Sequence, residues 1–174
     1  MKKLFQIVAV LTFSSAAVAS DINVDMYAAT PSGPGAHVGT VIIGNAGKGA
    51  VFSLDLKGMQ PFTKHGFHIH ENGICAPAEK DGKVVPALAA GGHWDPMHTG
   101  KHEGWQGQGH LGDLPRLEVD SKGQLSGKFT VPRITDISIL KGLAMMVHLN
   151  GDNYADVPKK LGGGGARMFC GVIQ

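Results

Sequence analysis

The chain has 174 residues, with 16 basic and 14 acidic side chains for a formal net charge of +2, 26 glycines and two cysteines. No run of positive charge offers a nucleic-acid footprint, and no apolar stretch reaches the roughly 20 residues of a membrane-spanning helix. A length of this order supports one domain with a sizeable core.

Met1-Lys2-Lys3, the mostly apolar Leu4 to Val18 and the small-residue ending Ala17-Val18-Ala19 form the pattern of a secretory signal. We expect cleavage after Ala19, leaving residues 20–174 as the mature domain. The product is exported, and periplasmic if the source is a Gram-negative bacterium. Without Lys2 and Lys3 the basic residues fall to 14 and balance the 14 acidic ones. In an oxidising compartment an even pair of cysteines, Cys75 and Cys170, favours one disulfide. Closing that loop stabilises by on the order of 4–5 kcal/mol, less any native strain. The alternative, cysteine metal ligands, ranks below it because histidines supply donors enough.

Short alternating runs punctuated by glycine and proline then dominate, which indicates an all-β sandwich or barrel. Ile22 to Ala28 reads as a strand with Ile22, Val24 and Met26 on one face, broken by Pro31-Ser32-Gly33-Pro34-Gly35. Strands follow at His37 to Ile43 and, past the Asn45 to Gly49 turn, at Ala50 to Leu56. The next run is His65 to His70. Leu117 to Val119, a hairpin turn at Asp120-Ser121-Lys122-Gly123, and Leu125 to Val131 come next. A helical turn near Asp136 to Leu140 precedes the last two strands, Leu143 to Leu149 and Met168 to Ile173, making eight. Two connections are long and glycine-rich, Glu71 to Leu114 and Asn150 to Arg167, and loops of that kind are usually functional.

Seven of the nine histidines fall between His65 and Asp113. Histidine is the commonest metal-ligating side chain, and solvated histidines would not bunch in this way. His68 and His70 leave a strand on one face, with Phe67 and Ile69 behind them in the core. His148 leaves a later strand on its outward face and can meet that pair. His93, His102, His110 and Asp113 share the long loop and make a sound tetrahedral zinc set. Seven ligand residues exceed what one ion needs, and two ions sharing one ligand would use all seven.

These residues carry a resemblance. Gly66-Phe67-His68-Ile69-His70, Gly91-Gly92-His93-Trp94-Asp95-Pro96, Lys101-His102-Glu103-Gly104, His110-Leu111-Gly112-Asp113-Leu114-Pro115 and the run from Gly162 through Arg167 to Cys170-Gly171-Val172-Ile173 resemble the copper,zinc superoxide dismutases. With Gly151-Asp152-Asn153-Tyr154, the exported bacterial branch is the best match, over essentially the whole mature chain. The resemblance implies an eight-stranded Greek-key β-barrel, a flattened sandwich, with both metals held outside it by the two loops. It implies one copper on His68, His70, His93 and His148, and one zinc on His93, His102, His110 and Asp113. His93 is then the bridging imidazolate, Cys75 and Cys170 the family's disulfide, and Asp152 the carboxylate linking a copper-bound to a zinc-bound histidine. Copper cycling between Cu(II) and Cu(I) would dismute superoxide to dioxygen and hydrogen peroxide, with Arg167 docking the anion and His93 passing a proton. Lys80, Lys83, Lys159 and Lys160 are candidates for steering the substrate, and ordinary solubilising lysines are the competing reading.

The chain departs from the family pattern at three places. His37, His65 and His98 match no ligand and read as structural or surface residues. Leu149-Asn150 replaces a small residue and glycine. Trp105 stands where proline or glycine is common, and either anchors a homodimer or packs within its own loop. A metal-binding domain without turnover would have lost a copper ligand or the arginine. A zinc hydrolase needs an open zinc position, and a blue-copper carrier needs a cysteine thiolate.

Overall fold

The computed structural model describes residues 20–174, so the expected signal segment lies outside the described residues. The strands are β1 (Ile22–Thr30), β2 (Gly33–Asn45), β3 (Ala50–Lys57), β4 (Lys64–His65), β5 (Phe67–His70), β6 (Ala78–Lys80), β7 (Lys83–Val85), β8 (Leu117–Glu118), β9 (Gln124–Val131), β10 (Ala144–His148) and β11 (Arg167–Val172). Seven of them form one antiparallel sheet in the order β5-β10-β11-β1-β2-β3-β9. The sheet curls on itself. Phe67 on one edge strand meets Phe129 on the other edge-to-face at 6.3 Å, and Phe52 stacks on Phe129 at 5.4 Å. Period-two alternation places Ile22, Val24 and Met26, with Phe67, Ile69, Met145 and Val147, inside this curl, as the sequence indicates.

The differences from expectation have identifiable physical causes. His65 to His70, expected as one strand, splits at Gly66, whose N–H donates to Asn150 O and whose carbonyl accepts from His148 N. Lys64–His65 therefore pairs with Leu117–Glu118 in a separate two-stranded ribbon, outside the seven-stranded sheet. Asp120 to Gly123 turns the chain as expected, its carboxylate accepting from Lys122 N and Gln124 N. It is not a hairpin, however, because β8 pairs with β4 and β9 with β3. The Pro31 to Gly35 cluster interrupts less than expected, and β2 begins at Gly33. Pro34 sits opposite Ala29 beyond the reach of β3, where its missing N–H costs no ladder bond. The helical turn forms at Ile137–Leu140, capped by Asp136 accepting from Ser138 N.

The connection from Glu71 to Leu114 is not bare loop. It carries the β6–β7 hairpin, turned at Asp81-Gly82, and a short 3-10 helix, Leu88–Ala90. A disulfide between Cys75 and Cys170, 95 residues apart, pins this loop to β11. Isolated bridges from His68 to Asp113 and from His70 to His93 lay the loop's histidines along β5.

Candidate metal centre

β5 and β10 are neighbours, with Met146 opposite His68 and Ala144 opposite His70. Core burial of Phe67, Ile69, Met145 and Val147 forces His68 and His70 to the opposite face, and His148 joins them past an irregularity between Val147 and His148. His70 Nδ1 lies 2.9 Å from Gly91 O, and His148 Nδ1 lies 3.1 Å from Gly165 O. A carbonyl only accepts, so each Nδ1 carries the hydrogen and each Nε2 keeps a lone pair. Those two Nε2 atoms are 3.3 Å apart. Facing lone pairs at that distance repel unless a cation or a proton lies between them. Burial, then the neighbouring His68, lowers His148 to about 3, and burial, then His93, holds His70 well below the ordinary value. A proton is therefore disfavoured, and a metal ion fits. His68, His70, His93 and His148 each place a nitrogen within 4.8 Å of the others.

Three imidazoles surround the Asp113 carboxylate. His93 Nδ1 is 2.9 Å from Oδ1, His102 Nδ1 is 2.9 Å from Oδ2, and His110 Nδ1 is 3.5 Å from Oδ1. Asp152 backs this group, accepting from His68 Nε2 and His102 Nε2 at 2.8 Å each. Those bonds fix the hydrogens on Nε2 and leave Nδ1 of both rings bare. His68 Nδ1, His102 Nδ1, His110 Nδ1 and Asp113 Oδ2 are buried without a hydrogen-bond partner, the 2.9 Å approach of His102 to Asp113 being off line for one. Orphaned buried polar atoms are rare in native proteins, and a cluster of them suits an ion.

The charges agree with this. Burial, then His68, lowers His93 to about 4. Burial alone would lower His102 too, but carboxylates at both of its nitrogens raise it to about 9. Burial would likewise raise Asp113 and Asp152, yet the imidazoles against them, His102 then His93 at Asp113 and His102 then His68 at Asp152, hold both below the usual carboxylate range. The cradle favours added positive charge, which a proton or a bound cation can supply.

Beside the first group opens a cavity of about 180 Å³ lined by His70, His93, His148, Lys160, Leu161 and Arg167, among others. The Arg167 guanidinium donates to Ala87 O at 2.8 Å and to Gly91 O, the carbonyl that also holds His70. Arg167 and His70 are thus positioned by one loop segment, which the disulfide anchors three residues further along β11.

Residues 37–173 match the copper/zinc superoxide dismutase (SODC) family. The chain belongs to this family. It is 49% identical to the Brucella abortus enzyme Superoxide dismutase [Cu-Zn] over 174 residues, 100% of each chain. The solved Cu/Zn superoxide dismutase of Brucella abortus superposes with a TM-score of 0.87 at 51% identity, covering 89% of this chain and 100% of that one. The monomeric copper, zinc superoxide dismutase of Salmonella enterica gives 0.79 at 50% identity, covering 89% and 100%. The protein is a superoxide dismutase, an oxidoreductase of superoxide that uses copper and zinc.

The seven histidine and aspartate side chains singled out in the sequence, with Asp152 and Arg167, lie together in the structure. His110 stands furthest out, its ring 5.4 Å from His93 and 6.1 Å from His102. The tightest grouping around Asp113 accordingly takes in His68 instead. That proximity is stacking, since the His68 and His93 rings lie face to face at 3.9 Å. Of the four lysines only Lys160 lines the Arg167 cavity. Lys159 faces a different cleft, and Lys80 and Lys83 sit exposed on the β6–β7 hairpin. Trp105 is partly buried. His37 is exposed beside Asp25, and His98 is exposed in a turn. No helix among the described residues is long and apolar enough to cross a membrane.

His65, read from the sequence as a structural or surface residue, is structural: it is buried, with Nδ1 donating to His148 O at 2.8 Å. Two further residues escaped the sequence reading. Asp156 accepts from His102 N and from Leu161 N, stapling the two loops. Gly162 is required, since a Cβ there would lie 1.9 Å from Asp152 Oδ1. The run of four glycines was the available signal for Gly162. Nothing local marks Asp156.

Proposed function

We propose that His68, His70, His93 and His148 hold the copper and that His93, His102, His110 and Asp113 hold the zinc, with His93 shared. The carrying observation is the 3.3 Å approach of two lone-pair nitrogens, His70 Nε2 and His148 Nε2, next to a ring whose other face of chemistry is Asp113. When bound, copper would supply the one-electron steps of the dismutation, with zinc redox-silent. His93 Nδ1 faces Asp113, so Nε2 is the nitrogen that would hold the proton the reaction consumes. Arg167, fixed by two carbonyls, docks the monoanionic substrate in the cavity, and Lys160 adds positive field at its wall. The glycine-rich segment from Gly162 to Gly165 closes over His148 and Asp152 without side chains that would fill the cavity.

The family's eight-stranded Greek-key barrel is the connectivity we adopt, supported by the curled sheet and the β4–β8 ribbon. Residues 1–19 read as a cleaved signal, which directs the mature domain to the periplasm. A homodimer through Trp105 is the weaker assembly, since that side chain is partly buried and the Salmonella enterica relative is described as monomeric.

Arg167→Ala tests the docking role. Metal content should match the wild type while kcat/KM for superoxide falls about 10- to 100-fold, the loss expected for one charge-assisted contact. Unchanged kcat/KM would remove Arg167 from the mechanism.

A further inference from the structure

Behind the Asp152 carboxylate lies a second, larger concavity of about 450 Å³ that the dismutase site does not use. Three cations stand around it, Lys64, Arg116 and Lys159, with the amides of Asn150 and Asn153 between them. Each is held differently. Asn150 Nδ2 donates to Gly163 O at 3.3 Å, and Asn153 Nδ2 donates to Val157 O at 2.9 Å. The Arg116 guanidinium rests over the Tyr154 ring at 5.8 Å, and its Nη1 reaches the Asp152 carbonyl at 3.5 Å, leaving most of its N–H fork open. Lys159 is exposed and makes no ion pair among the described residues.

One exposed carboxylate, Glu118, approaches Lys64 and Arg116 at 3.4 Å each. Exposed pairs of this kind are weak and exchange readily. Asp152 is also ionised, but both of its oxygens turn inward to His68 and His102, and three cations outnumber the two carboxylates. The concavity thus carries a net positive charge, presented by one planar fork and two point charges. That set suits a tetrahedral dianion better than the small monoanion handled beside Arg167.

We propose that this cleft is a second anion site, taking a soluble phosphate-type dianion. Its position gives it a bearing on the active site. Pro158, Lys159, Gly162 and Gly163 wall this cleft, while Lys160, Leu161, Gly164 and Gly165 wall the Arg167 cavity. The two sites lie on opposite sides of one strip of chain, and Asp152 floors the outer one while orienting two histidines of the inner one. A phosphate held outside therefore restrains the strip that shapes the inner cavity.

The test is a titration of the reduced, diamagnetic copper- and zinc-loaded protein with inorganic phosphate, followed by amide chemical shifts at constant ionic strength. Saturable shifts should appear at Gly151, Asn153, Gly162 and Gly163, persist in Arg167→Gln, and require about tenfold or more phosphate in Arg116→Gln and in Lys159→Gln. Two outcomes overturn the proposal. One is saturable shifts confined to Gly165, Ala166 and Arg167 that vanish in Arg167→Gln. Alternatively, shifts around the outer cleft persist unchanged in both Arg116→Gln and Lys159→Gln, which would mean an adventitious ion only.

Discussion

Replacing Asp152 with asparagine keeps the side chain's shape but removes one acceptor oxygen and one negative charge. In the native chain Oδ2 accepts from His68 Nε2 and Oδ1 from His102 Nε2, each at 2.8 Å, and Oδ1 also accepts from Tyr154 N at 2.7 Å. An amide of the same shape presents one acceptor and one NH2, so one of the two imidazoles faces N–H against N–H. That ring must either turn or move its hydrogen to Nδ1, the atom proposed to bind metal. Partners of this kind typically contribute 10- to 100-fold in metal affinity, or ~1.4–2.8 kcal/mol. Because one carboxylate serves a ring of each group, Asp152→Asn should weaken copper and zinc together. Competition against chelators of known affinity, run separately for each metal, measures this. If both affinities stay within about twofold of the wild type, Asp152 is not orienting the ligands and the reasoning fails.

Two further outcomes follow from the same cradle. In metal-stripped protein, His102 is raised to about 9, so its contribution to stability is full below the unfolded value of roughly 6.5 and is lost as pH rises through about 9. His93 and His148 are lowered to about 4 and about 3, so the folded state loses stability as pH falls below roughly 6.5 towards those values. Melting of the stripped protein between pH 4 and pH 10 should therefore peak near neutrality, and a flat profile across that range would contradict these assignments. Gly162→Ala places a Cβ 1.9 Å from Asp152 Oδ1 at a φ of +67°. It should cost about 1–3 kcal/mol of stability by denaturant melt and lower the content of both metals; full metal content with native stability would show that the backbone has room there.

The ligand residues were legible because their chemistry is repeated and their spacing is short. His68 and His70 need only the period of a strand to share a face, and Phe67 and Ile69 name the face they leave. The strand pattern was legible for the same reason, since Ile22, Val24 and Met26 alternate cleanly. What the sequence hid depends on partners far along the chain. Gly66 breaks a strand because of bonds to His148 and Asn150, more than 80 residues away. The Asp120 turn looks like a hairpin because pairing partners do not appear in local sequence. His65 carries no pattern of its own, and only folding reveals that it buttresses the backbone of His148. The β6–β7 hairpin is short, half charged and flanked by Pro77 and Pro86, so its composition reads as loop.

The central claim is that one imidazole serves two ions. The most direct measurement is a crystal structure of the protein loaded with copper(II) and zinc, with anomalous scattering recorded at each metal's absorption edge. The account predicts the His93 ring between the two peaks, Nδ1 at about 2.0–2.1 Å from zinc and Nε2 at a similar distance from copper. A His93 ring bound to one ion alone, with both ions present, would contradict it.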